Sequence, residues 1–102
     1  MSLSQETCQA NAAKLDDIAA EMLASELNEW LVLNGTLEKT FRFKDFYQTV
    51  AFVNAVAYIA NKQDHHPDLE VTYSRCKVVW STHSAGGLSR NDFICAARID
   101  AL

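Results

Sequence analysis

Residues Glu29-Trp30-Leu31-Val32-Leu33-Asn34-Gly35-Thr36-Leu37-Glu38-Lys39-Thr40-Phe41-Arg42-Phe43 decide the fold. An Asn-Gly pair between two β-forming runs is the strongest short-range hairpin signal, because the two-residue turn needs positive φ at both positions. One strand is expected over 29–34 and its return over 36–43. Leu37, Phe41 and Phe43 fall on one face of the return, and Glu38, Thr40 and Arg42 on the other. Such alternation marks a sheet buried on one side only.

Upstream, Leu15, Ile18, Ala19, Met22, Leu23 and Leu27 recur at three- and four-residue spacing, which predicts a helix over 15–27. Residues 1–13 show no such pattern and read as a frayed lead-in to a single domain over 14–102. Downstream, Asp45 can cap a helix over 46–62, with Gln48 completing a capping-box pattern. The apolar residues of this helix fill two stripes: Phe46, Val50, Val53, Ala57 and Ala60, then Phe52, Val56 and Ile59. A helix with one wet face needs only one stripe, so the excess predicts contact with another subunit. Pro67 bars helical continuation. A second hairpin is expected over 69–74 and 77–83, where Val71 and Tyr73, then Val78, Trp80 and Thr82, alternate. Gly86-Gly87 marks a turn, and Ser89 caps a last helix over 89–99. The order helix-hairpin-helix-hairpin-helix implies an α+β fold, a four-stranded antiparallel sheet of two hairpins with three helices packed on one face.

With 102 residues, 49% of them hydrophobic, the chain can build one core. A lone domain of this size buries only a little over ~60% of the surface its unfolded chain exposes, so oligomerisation is a natural supplement. The net charge of -4, with nine scattered Lys and Arg, argues against a nucleic-acid partner held through its phosphates. No apolar run reaches the roughly 18 residues a membrane span requires. The N-terminus has neither the basic region nor the apolar stretch of a secretory signal. Cys8, Cys76 and Cys95 are odd in number and widely spaced, which fits free thiols in a reducing cytoplasm.

All three histidines lie in two short segments, Asp64-His65-His66-Pro67 and Thr82-His83. The first enters one strand of the second hairpin and the other leaves its partner. Antiparallel pairing sets the start of one strand beside the end of the next, so His65, His66 and His83 are expected at one rim of the sheet. Imidazole both gives and takes protons near neutral pH. Three together suit proton transfer, or zinc with an open position. Neighbouring side chains rarely converge on one ion, so proton transfer is the preferred reading and no metal is assigned.

Asp64-His65-His66-Pro67-Asp68, Val71-x-Tyr73-x-Arg75-x-Lys77-Val78, Ser81-Thr82-His83 and Gly87-Leu88-Ser89-x-x-Asp92 resemble, in order and spacing, the signature of the pterin-4a-carbinolamine dehydratases. Phe43-Lys44-Asp45-Phe46 resembles that family's entry into its long helix. The resemblance implies a dimer or a dimer of dimers, and dehydration of 4a-hydroxytetrahydrobiopterin to the quinonoid dihydropterin. This recycles the cofactor of aromatic amino acid hydroxylases, which makes such a hydroxylase a functional partner. It implies His65 and His83 as the acid–base pair, with His66, Pro67, Asn61, Thr82 and Asp92 around the pterin. It implies no cofactor, since the pterin N5 lone pair itself expels the hydroxyl.

Two positions depart from the family pattern. Asn61 stands where many members have Glu, and can hydrogen-bond a ring edge but cannot act as a carboxylate. Asn91 stands where some have Arg, with Arg90 rotated by about 100° on the helix. Asp92 carries two readings, an active-site carboxylate or the capping partner of Ser89. Trp30 and Trp80 read as core rather than stacking platforms. Two alternatives remain beside the enzyme: a non-catalytic dimerisation module, known from the animal members, and a dehydratase for a different pterin.

Overall fold

The Asn34-Gly35 turn forms as its residue types demand, with φ of 47° and 81°. It joins Leu31–Leu33 (β1) to Thr36–Arg42 (β2), an antiparallel pair. These features come from a computed structural model that describes residues 2–102. The second hairpin comprises Asp68–Val71 (β3) and Arg75–Trp80 (β4), and the sheet order is β1-β2-β4-β3. The return strands of the two hairpins therefore meet at the centre, with Leu37 opposite Trp80, Lys39 opposite Val78 and Phe41 opposite Cys76. Cys76, Val78 and Trp80 are fully buried. The outer face is polar, and there Lys77 Nζ lies 3.2 Å from Glu38 and 3.7 Å from Glu70.

Three α-helices cover the inner face, giving the α+β architecture expected. They are Asp17–Ala24 (α1), Phe46–Gln63 (α2) and Arg90–Asp100 (α3). Each starts at a side-chain cap: Asp16 accepts from the Ala19 N–H, Asp45 from the Gln48 N–H, and Ser89 from the Asn91 N–H. These caps satisfy N–H groups that the first helical turn leaves without partners. In α2 the buried residues are Thr49, Val56, Ile59, Ala60 and Gln63, whereas Phe46, Tyr47 and Tyr58 stand exposed. Helix α3 is buried nearly all round, from Asn91 to Ala97 and at Ile99.

That burial overturns the expectation of a frayed lead-in. A helix apolar on both sides needs cover on both, and residues 3–9 supply it on the side away from the sheet. Leu3 is buried within a short 3-10 turn, Leu3–Gln5. Arg90 donates two hydrogen bonds to the Glu6 carboxylate, both 2.7 Å. The Asn91 amide donates to the Gln9 carbonyl at 2.8 Å and accepts from the Gln9 N–H at 2.9 Å. The segment carries no periodicity because it is held by polar side chains of α3 rather than by an apolar face of its own.

Two boundaries also differ. The helix expected over 15–27 is confined to Asp17–Ala24, because the Leu15 N–H is taken by the Leu88 carbonyl. Strand β4 ends at Trp80, so His83 lies not on a strand but in a 3-10 turn, His83–Ala85, closed by Gly86 at φ 76°.

Candidate functional site

The site begins where α2 stops. Asp64 takes the left-handed conformation (φ 51°) that short polar side chains tolerate. The His65 N–H then returns to the Ala60 carbonyl at 3.1 Å. This turn lays the His65 ring on Trp80 of β4, with centroids 5.4 Å apart and planes inclined by 12°. Fully buried Trp80 thus serves as core residue and as a platform beneath an imidazole. Its indole was legible as core alone, since nothing in the spacing announces the stack.

Asp92, in the first turn of α3, is fully buried. Its Oδ1 lies 2.6 Å from His65 Nε2. Its Oδ2 accepts from Thr82 Oγ1 at 2.8 Å and from the Ser89 N–H at 2.9 Å. The Thr82 and Ser89 hydroxyls are 2.7 Å apart. One side chain makes both contacts: Oδ2 completes the capping box and Oδ1 holds the imidazole. A buried carboxylate needs this many donors to offset its desolvation.

Burial of His65 works against its charged form, but the hydrogen bond and charge of Asp92 outweigh it, with lesser help from Cys8 and Asp64. The imidazole is held above its usual range. With Nε2 engaged, Nδ1 is the nitrogen left for a bound molecule.

The remaining residues take different positions. Thr82 is buried and its hydroxyl is engaged by Asp92 and Ser89. That hydroxyl supports the carboxylate from behind. His83 follows it directly, exposed on the 3-10 turn. His66 is exposed beside His65, Pro67 is half-buried, and Asn61 is exposed one helical turn before His65. The β3–β4 register, with Asp68 opposite Val79, sets the His65-His66 and His83 segments at the same end of the sheet. Ser89 was legible only as a cap. Its second function, fixing Thr82 and Asp92, depends on a loop closure in which the Thr82 N–H reaches the Gly87 carbonyl at 2.9 Å. Arg90 and Asn91 face the N-terminal segment, not this rim. Among the described residues no three His, Cys, Asp or Glu side chains converge as metal ligands would.

Residues 12–102 match the family model described as Pterin 4 alpha carbinolamine dehydratase. A Nitrosospira multiformis protein provisionally named pterin-4-alpha-carbinolamine dehydratase is 50% identical over 95 residues, covering 93% of this chain and 84% of the relative. A Chromobacterium violaceum protein with the same provisional name is 48% identical over 104 residues, covering 100% and 96%. The crystal structure of a transcriptional coactivator/pterin dehydratase from Brucella melitensis superposes with a TM-score of 0.82 at 29% identity, over 86% of this chain and 96% of that one. A pterin dehydratase-like protein identified as a RuBisCO assembly factor in the alpha-carboxysome shares the fold, with a TM-score of 0.63 at 23% identity over 72% and 88% of the two chains.

Proposed function

The chain belongs to the pterin 4 alpha carbinolamine dehydratase family, and on that premise we propose that it dehydrates 4a-hydroxytetrahydrobiopterin, or a close pterin relative, by histidine acid–base catalysis. The observation that carries this reading is the buried Asp92 holding His65 at the histidine-bearing rim. An imidazole whose charged form is favoured by Asp92 suits a proton donor to a departing hydroxyl. His65 gives its Nδ1 proton to the 4a-oxygen as the N5 lone pair expels it, so the oxygen leaves as water. His83, exposed on its 3-10 turn, takes the proton that the ring nitrogens surrender. The pterin loses one water, its C4a–O bond breaks, and the N5–C4a bond becomes double. His66, Pro67 and Asn61 border the ring and Thr82 supports Asp92. General acid–base help of this kind supplies roughly 10²–10⁴-fold, enough for a carbinolamine that already dehydrates unaided.

In this reading the enzyme works in the cytoplasm as a homodimer or homotetramer, recycling cofactor for an aromatic amino acid hydroxylase. The exposed Phe46, Tyr47, Tyr58 and Tyr73, with Phe46 stacked on Tyr73 at 6.5 Å, support a subunit contact. The same aromatic patch favours a second reading, a protein-interaction module without catalysis. The names of the Brucella coactivator and the carboxysome assembly factor attach such roles to those proteins.

The test follows the loss of synthetic 4a-hydroxytetrahydropterin by absorbance, with and without protein. The enzyme reading expects acceleration that His65→Ala reduces by roughly 10²-fold or more. No acceleration by the unaltered chain would favour the interaction module.

A further inference from the structure

Behind His65, between the N-terminal segment and α3, two thiols meet. Cys8, half-buried on the N-terminal segment, places its Sγ 3.5 Å from Sγ of Cys95, which is fully buried in α3. The contact is held from three directions. The Cys8 N–H donates to Gln63 Oε1 at 2.9 Å, its thiol lies 3.7 Å from the Asn91 carbonyl, and the flanking Glu6 and Gln9 are bound to Arg90 and Asn91. We propose that Cys8 and Cys95 form a reversible disulfide that locks the N-terminal segment onto α3.

A disulfide needs its sulfurs about 2.05 Å apart, so closure from 3.5 Å requires an approach of about 1.5 Å. Residues 6–9 lie outside any helix or strand and can supply it. The two thiols also differ in the way a sequential oxidation needs. The hydrogen bond from Cys95 draws the Cys8 thiol below its ordinary range against the effect of burial, with help from the positive charge of His65. The same hydrogen bond and deeper burial push Cys95 up. The thiolate is the reactive form, and exposure decides which cysteine meets an oxidant. Cys8 is therefore attacked first.

With a peroxide as oxidant, the Cys8 sulfur takes one peroxide oxygen to become a sulfenic acid, and the other oxygen leaves as water. The Cys95 sulfur then attacks the Cys8 sulfur. The S–O bond breaks, the hydroxide takes the Cys95 proton, and a second water departs. Two thiols and one peroxide thus give one disulfide and two waters. Cys76, buried alone in β4 and pushed up by burial, serves as the internal control.

The experiment treats the full chain with limiting hydrogen peroxide, alkylates free thiols, and maps peptides by mass spectrometry beside a thermal melt. The expected result is a Cys8–Cys95 linked peptide lacking two hydrogens, with Cys76 still alkylated. Because the link closes a long loop, Tm rises by roughly 10–20 °C, and dithiothreitol reverses the rise. Cys8→Ser, on the half-buried segment, should fold and show neither link nor shift. Cys8 recovered as a free thiol, as a sulfinic acid, or linked to Cys8 of a second chain would overturn the proposal.

Discussion

Helix α3 is tied to the rest of the molecule through a carboxylate at each end, and the two are built differently. Asp92, in the first turn, is fully buried and holds His65 with Thr82 and Ser89 behind it. Asp100, the last helical residue, keeps its side chain 23% exposed, with Oδ1 2.9 Å from Lys39 Nζ and Oδ2 2.9 Å from Trp30 Nε1. One sits where the helix dipole favours a negative charge and the other where it opposes it. The favoured one is the costlier to bury, and its partner is a titratable ring instead of a permanent cation. A carboxylate that only ties a helix down has no need of full burial or of an imidazole. The difference supports the proposal that places proton chemistry at the Asp92 end.

The largest effect that could break this contrast belongs to Asp92→Asn. The variant keeps shape but loses charge, so His65 no longer has the partner that raises it. The dehydration rate should fall by about 10²-fold, mostly in kcat, and the alkaline limb of the kcat profile should move to lower pH. A cap alone would leave that limb in place, which makes the profile the deciding measurement. Stability carries the same signature. His65 is raised above its ordinary 6.5 in the folded state, so its pairing stabilises fully below that value and the contribution fades as pH rises through the raised one. His65→Gln should therefore destabilise more at pH 5.5 than at pH 9 in urea melts. Equal losses at both would show that the pair does not titrate with folding.

The contrast between the two ends also explains what the sequence could disclose. The Asn34-Gly35 hairpin, the caps at Asp45 and Ser89 and the alternation of Val78 and Trp80 are local patterns that became the elements expected, while Thr82 fell beyond the end of its strand. The rim of histidines followed from antiparallel pairing alone. The order β1-β2-β4-β3, with β4 beside β2, rests on long-range register that no local pattern encodes. Period two puts Lys39 on the inner face, but the partner that lets a charge sit there was illegible for the same reason. Lys39 occupies the core-facing position between Leu37 and Phe41 because Asp100 meets its charge, while its Nζ lies 4.8 Å from the Phe41 ring centroid and 5.7 Å from that of Trp30. Residues 3–9 looked unstructured because their anchors, Arg90 and Asn91, lie at the far end of the chain.

Thr82→Val sharpens the comparison at the next magnitude. Valine fits the space but leaves Asp92 Oδ2 with only the Ser89 N–H and the Ser89 hydroxyl with only the Asn91 N–H. Losing these buried bonds should lower stability by about 1–3 kcal/mol, read from denaturant midpoints. The dehydration rate should fall by roughly tenfold, since a looser Asp92 positions His65 less well. Unaltered KM beside reduced kcat would identify Thr82 as a positioning residue, whereas a large rise in KM would restore it as a direct substrate contact.

Asp100→Asn should have the smallest effect, and its smallness is the point. The amide oxygen can still accept from Trp30 Nε1, and removing the charge relieves the unfavourable end of the helix dipole by ~0.3–1 kcal/mol. Against this stands the lost ion pair with Lys39, a partly exposed contact of the kind worth about 1 kcal/mol or less. The two nearly cancel, so the melt should shift by no more than about 1 kcal/mol, with no dependence on pH between 6 and 9. The dehydration rate should be unchanged, because the pair lies at the opposite end of α3 from His65. A rate loss comparable to that of Asp92→Asn would mean that the whole helix, and not the carboxylate at its start, sets the geometry of the histidine rim.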